Sequence, residues 1–286
     1  MPELPEVQAL AERLDAALRG TTLVRADLLG FTALKTVDPS PDALVARAVE
    51  GVGRRGKFVA VTFAGGFRVL VHLSQAGRVD LEEPPKATRP RGSVVRLVLE
   101  RHPGEVAVLV REHGTQRKAG WWVLAPGDHG PLATLGPEPH EAAFEQLVLS
   151  GGGTGDGPRR LHTWLRDQHV VAGIGRGYAD DILHRARVSP FATLRSLDEG
   201  RRRELLEAVH DVLEEALTAE RRREGGLSEA KLGGRFAVHG RFGEPCPRCG
   251  DPLQRVSYES HEIAYCPRCQ TDGRTLADRR LSRLLR

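Results

Sequence analysis

The sequence predicts an α+β multidomain chain: an amino-terminal helix with an antiparallel β sandwich, then a helical domain, then a small cysteine-bearing hairpin. Three observations predict it. Over residues 2–19, Val7, Leu10, Ala11, Leu14, Ala17 and Leu18 recur at helical spacing, and Gly20 follows as a stop. From about 22 to 125 the pattern changes to short alternating or apolar runs, TLVRADLLG, FVAVTF, FRVLVHL, SVVRLVLE, EVAVLV and GWWVLA, separated by Gly, Pro and charged turns. Beyond a Gly-rich stretch the period becomes helical again, and all four cysteines fall between 246 and 269.

The elements set the domain boundaries. Residues 1–135 form the helix-plus-sandwich domain. A linker over 136–158 carries GPEP and GGGTGDGP around one short helical stretch; the second segment has no apolar periodicity. Residues 159–235 read as helices over LHTWLRDQHVVAG, YADDILHRARV and LDEGRRRELLEAVHDVLEEALTAERRR, with Asp198 as N-cap of the last and a loop at 224–234. Residues 236–286 hold the cysteine unit and the tail. A cleft between two domains is a common place for a ligand.

The composition narrows the function classes. Of 286 residues, 40% are hydrophobic, enough for globular cores and too many for a disordered chain. No apolar run is long enough to cross a bilayer, and the acidic, amphipathic start does not read as a leader, so a cytoplasmic, nucleoid-associated location is expected. The net charge of +4 suits a polyanionic partner without demanding one. Basic clusters stand at RRGK (54–57), REHGTQRK (111–118) and PRRLHTWLR (158–166), while the RRR runs at 201–203 and 221–223 read better as solvated helix faces.

Three motifs carry chemistry. Cys246-Pro-Arg-Cys249 and Cys266-Pro-Arg-Cys269 stand sixteen residues apart, the spacing of a four-cysteine zinc site. With all four ligands from protein the ion has no open position, so one structural Zn(2+) is expected, closing a unit too small for its own core. Tyr258, Glu259, Ser260 and His261 fall at or near the hairpin tip. In VVAGIGRGYADDIL (170–183), Gly173 and Gly175 precede a helix and Gly177 enters it, leaving N–H groups that suit an anion; an ordinary interhelical turn explains the pattern equally well. The start, MPELPEV, is an unremarkable helix opening. Removal of Met1, common before a small residue, would make it a terminal secondary amine, far less basic than lysine and more nucleophilic near neutrality, with Glu3 beside it to move protons.

Taken together and in order, these pieces resemble the formamidopyrimidine-DNA glycosylase/endonuclease VIII family. PELPEV (2–7), GRRGKF (53–58), HLSQAG (72–77), LGPEP (135–139), WLRDQHVVAGIGRGYADDILHRARVSP (164–190), VHGRFGEPCPRCG (238–250) and YCPRCQ (265–270) match its signatures, the long one being its helix–two-turn–helix and the last two its zinc finger. The resemblance implies a base-excision-repair glycosylase and AP lyase. Pro2 attacks C1′ to give a Schiff base, Glu3 serves as general acid/base for ring opening and the β(,δ)-elimination that follows, Lys57 contacts the lesion phosphate and helps catalysis, and Glu6 supports the site. It implies damaged DNA, single- or double-stranded, as partner of a monomer, with the base flipped out. DNA contacts are implied at His72, Gln75, Arg117, His162, Gly175, Arg176, Arg241 and His261.

The chain departs from the family pattern at several gripping positions. Arg176 replaces the motif asparagine, His162 a lysine, His261 the hairpin arginine, Gln75 the methionine of the void-filling turn, and Ala119 the phenylalanine after the RR pair, which aligns with Arg117 and Lys118. An intact catalytic end with an altered grip predicts an enzyme for single strands, bubbles, AP sites or bulky adducts. The alternative is a damage-binding protein with little turnover. A zinc-ribbon transcription or translation factor would leave the amino terminus unexplained.

Overall fold

The computed structural model describes residues 1–113, 117–153, 158–228, 234–258 and 262–276. The chain divides into two compact units, Met1–Thr134 with Leu217–Leu232, and Leu135–Ala216 with Gly233–Arg286. Of the helical domain expected over 159–235, the described residues 217–228 group with the sandwich instead.

In the first unit, helix α1 (Leu4–Leu18) precedes eight strands: β1 (Thr22–Leu28), β2 (Val49–Arg55), β3 (Phe58–Phe63), β4 (Phe67–His72), β5 (Gly77–Glu82), β6 (Ser93–Glu100), β7 (Glu105–Glu112) and β8 (Gly120–Leu124). They form two four-stranded antiparallel sheets, ordered β1-β6-β7-β5 and β2-β3-β4-β8. Alternation decides the facing. In β3, Val59, Val61 and Phe63 point inward while their neighbours are half-buried. Val95, Leu97, Val108 and Val110 from the first sheet join Val61, Val69, Val71 and Trp121 from the second in one apolar core. Val7, Leu10, Leu14 and Leu18 of α1 enter the same core. On the other face of the first sheet, Arg96 Nε meets Glu82 Oε2 at 2.9 Å, both side chains about 5% exposed or less.

Two strands escaped the sequence reading as separate runs. β2 carries Gly51 and Gly53 among charges, and β5 alternates polar and apolar residues directly after a turn. Both lie at sheet edges, where only one neighbour constrains the sequence.

The second unit holds α2 (Ala142–Leu149), α3 (Leu161–Leu165), α4 (Arg176–Arg185), the start of α5 (Glu199–Arg222), the hairpin β9 (Gln254–Ser257) and β10 (Glu262–Tyr265), and α6 (Pro267–Thr271). The helix expected over 161–173 stops at Leu165. Side chains take over the backbone bonding there. Gln168 Nε2 donates to Arg166 O at 2.9 Å and Ile174 O at 2.7 Å, and its Oε1 accepts from Gly173 N at 2.9 Å. Gly173 lies at φ +104°, a conformation that an L side chain rarely adopts. At α5, Asp198 Oδ1 accepts from Arg201 N at 2.8 Å, the cap the sequence indicated.

Candidate functional site

The head of α1 builds one end of the site. Pro5 occupies the first turn, where a missing N–H costs nothing. Glu3 is the N-cap of a capping box, and Glu6 Oε2 accepts from Glu3 N at 2.7 Å. Glu3 and Glu6 are 3% and 7% exposed, so both carboxyls are held under cover beside Pro2. Pro2 and Glu6 line a cavity of about 20 Å³, room for roughly one water, together with Leu73, Arg78, Leu227 and Ser228.

The segment around Leu227 is fixed onto α1 by groups the sequence reading did not single out. Arg13 donates to Glu220 O, and to Arg223 O at 3.5 Å and Leu227 O at 3.4 Å, collecting carbonyls at the carboxyl end of α5. Arg221 pairs with Glu12 at 2.8 Å, and that hydrogen bond holds the Glu12 carboxyl below its usual range. Ser228 Oγ accepts from Val79 N at 2.8 Å and donates to Val79 O at 3.1 Å. A loop serine and a helix-face arginine carry no motif, and their role emerges only from tertiary placement.

Lys57 sits with Gly56 at the tip of the β2–β3 hairpin and is 6% exposed. Arg54, two residues before Gly56, donates from Nε to Gln8 Oε1 at 2.9 Å, which ties the hairpin tip to α1. His72, at the end of β4, pairs with Phe58 in the register and lies 4.9 Å from its ring. Burial first, and the Lys57 charge second, push His72 down to about 4. The ring is therefore neutral at pH 7.

The turn after His72 is rigid. Ser74 adopts φ +53°, and a Cβ on Gly77 would stand 2.2 Å from Leu73 O, so only glycine fits. Gln75 is exposed at its tip. Arg117 is also exposed. Just after it, Lys118 N and Ala119 N donate to the carboxylate of Glu112, 5% exposed, at 2.9 Å and 3.1 Å. Ala119 is 4% exposed and presents no wedge to solvent.

In the second unit, Gly175 caps α4 and is buried, and Arg176 opens the helix half-buried. Arg166 joins it at the same turn; burial, then the Arg176 charge, lowers its affinity for its proton. His162, expected at a DNA phosphate, has no exposed surface. Its Nε2 lies 3.2 Å from Asp180 Oδ1, off the line of a hydrogen bond. Enclosed in this way, the ring does not reach a phosphate in this conformation. Asp180 Oδ2 instead takes His239 Nδ1 at 2.6 Å and Ala264 N at 3.1 Å. Asp181 accepts from the amides of Ala237, Val238 and His239 at 2.7, 2.9 and 3.3 Å; burial nevertheless raises its carboxyl above the usual range. Arg241 bonds Glu244 Oε2 at 2.8 Å and Ala237 O at 3.1 Å, and is half-buried. His261 lies outside the described residues.

The four cysteines converge. Their sulfurs all lie within 4.8 Å of one another, with Cys246–Cys269 at 3.9 Å and Cys249–Cys266 at 3.5 Å. Thiolates on a tetrahedral zinc, each about 2.3 Å from the ion, stand roughly 3.8 Å apart, so the cage fits the ion and is far too wide for a disulfide. Val238 and Leu253 pack against the cysteines in a small apolar cluster, and the ion is the structural centre of that cluster.

Family models match in the same order. The formamidopyrimidine-DNA glycosylase N-terminal domain matches residues 1–115, the H2TH domain of that family 135–225, and the zinc finger found in FPG and IleRS 243–271. A formamidopyrimidine-DNA glycosylase of Thermus thermophilus is 35% identical over 96% of this chain and all of its own length. One from Chloroflexus aurantiacus is 32% identical over 94% of this chain and 98% of its own. The crystal structure of the Thermus thermophilus MutM (Fpg) protein superposes with a TM-score of 0.78 at 32% identity, covering 94% of this chain and 98% of that one. The Lactococcus lactis protein bound to AP-site DNA gives 0.81 at 22% identity, over 94% and 99% of the two chains, a likeness of fold. Sandwich, two-turn helical module and four-cysteine finger thus coincide with full-length sequence relatives, and the chain belongs to the formamidopyrimidine-DNA glycosylase family.

Proposed function

We propose that this chain is a base-excision-repair DNA glycosylase with AP lyase activity, acting as a monomer on damaged DNA through the amine of Pro2. The observation that carries the reading is the setting of Pro2, at the head of α1 on a cavity shared with Glu6, with Glu3 as the buried cap beside it. Once Met1 is removed, the Pro2 nitrogen bonds C1′ while the bond from C1′ to the base breaks and the base leaves with a proton. The C1′–O4′ bond then breaks, with a proton delivered to O4′, which opens the sugar and leaves an iminium that acidifies C2′. Loss of the C2′ proton expels the 3′ phosphate, and the Glu3 carboxyl shuttles protons in these steps. Lys57 supplies the charge for the lesion phosphate. Gln75 and Arg117, both exposed, fill the space left by a flipped nucleotide. Gly175, Arg176 and Arg241 hold backbone phosphates.

The buried Ala119 supports a preference for DNA that is already open, single strands, bubbles or AP sites, over lesions that must be wedged out of duplex. The buried His162 removes one expected phosphate contact and favours, as second reading, a damage-binding protein with little turnover. Cleavage of an AP-site oligonucleotide decides between them. Wild type cleaves, Glu3→Gln cleaves more slowly, and Pro2→Gly binds without cleaving. Retention of the DNA by wild type with no cleavage would instead establish the binder.

A further inference from the structure

The carboxyl end of α4 reaches the zinc cage. His184, 4% exposed, brings its Nε2 to 3.2 Å from Cys246 Sγ. One turn of chain further, Arg248 of the first cysteine knuckle donates to His184 O at 2.8 Å and Arg185 O at 3.1 Å, capping α4. The second knuckle is tied to the same region, because Gln270 donates to Val188 O at 2.9 Å while its Oε1 accepts from Cys266 N at 2.8 Å. A metal-bound cysteine is an anionic acceptor, and a neutral imidazole with its proton on Nε2 is a donor of matching reach.

We propose that His184 is a positioning residue for the zinc centre, donating an N–H···S hydrogen bond from helix α4 to the Cys246 thiolate. The bond spreads charge off the sulfur and fixes its direction toward the ion. Groups that orient metal ligands in this way change metal affinity by about 10–100-fold when removed. Because the same helix opens with the Gly173–Arg176 turn, the bond also makes that turn and the first knuckle parts of one rigid piece. Nothing in this inference depends on the reaction proposed above.

The test uses the full-length zinc-loaded protein with His184→Phe, which keeps a flat ring without a donor, and His184→Gln, which keeps a donor. Zinc transfer to an excess of a colorimetric chelator is followed over time. The expected result is release about 10–100-fold faster from the Phe variant and near the wild-type rate from the Gln variant. Equal rates in wild type and His184→Phe, or equal acceleration in both variants, would overturn the proposal; the latter would mean ring packing alone. Should the Phe variant fail to fold, wild-type protein loaded with NMR-active cadmium decides. A His184 Nε2–H resonance coupled to the metal supports the bond, and an Nε2 without a proton refutes it.

Discussion

Gly177 sits in the first turn of α4, where helix propensity and packing pull in opposite directions. Its backbone is ordinary for a helix and needs no glycine. Alanine there gains up to about 1 kcal/mol of propensity. A Cβ at that position, however, would stand 2.3 Å from Phe236 Cζ and 2.4 Å from Cε1. The ring cannot swing away cheaply, because it packs edge-on against Tyr178 at 5.2 Å and His239 at 5.0 Å. Overpacking of this kind costs about 1–3 kcal/mol, and displacing the ring forfeits about 0.5–1.5 kcal/mol per aromatic pair. Packing therefore wins, and Gly177→Ala should destabilise by about 1–2 kcal/mol, lowering Tm by about 2–4 °C per kcal/mol. A double-mutant cycle isolates the cause: in a Phe236→Ala background, Gly177→Ala should become neutral or slightly stabilising. Calorimetry on the four proteins reads this directly. A Gly177→Ala protein melting above wild type, or shifting equally in both backgrounds, would refute the reasoning.

Three further outcomes follow from the same geometry. His72 titrates at about 4 in the fold against an ordinary value of 6.5, so the folded state binds fewer protons between those values. Its stabilisation is complete above pH 6.5 and is lost as pH falls toward 4, by up to about 3 kcal/mol. His72→Phe should therefore flatten the urea-measured stability profile in that window, and unchanged slope would contradict it. Glu112→Ala leaves the Lys118 and Ala119 amides without their acceptor and should cost about 1–3 kcal/mol, with proteolytic cutting appearing after Glu112; Glu112→Gln should be milder. Stripping zinc withdraws binding energy of about 10–16 kcal/mol from the cysteine unit. Amide protection should vanish around β9 and β10 while that of the β6–β7 pair persists; loss across both would mean that the sandwich also depends on the ion.

Much of the sandwich was readable because its strands alternate or run apolar, as Phe58–Phe63 and Ser93–Glu100 do. The zinc cage was readable because thiolate spacing is nearly a geometric statement. What escaped was bonding that has no period. The turn at 166–175 replaces a helix because one side chain, Gln168, satisfies three backbone groups, and an apolar pattern carries no trace of that. Arg13 and Ser228 act across more than 140 residues of chain, on carbonyls and amides that have no side-chain signature. The resemblance supplied Pro2, Glu3 and Lys57 by position, whereas the burial of His162 and Ala119 depends on neighbours in this chain. At His162 the reason is physical: an imidazole is short enough to remain under α4 beside Asp180, where a longer cation could extend outward.

Borohydride trapping reads out the covalent bond proposed between DNA and the Pro2 nitrogen. The protein is incubated with single- and double-stranded AP-site oligonucleotides and reductant, beside Pro2→Gly and Glu3→Gln. Wild type should give a crosslinked band, mapping by mass spectrometry to a chain that begins at Pro2, and Pro2→Gly should lose it. A wild-type crosslink mapping to another amine, or a band that survives in Pro2→Gly at full intensity, would contradict it.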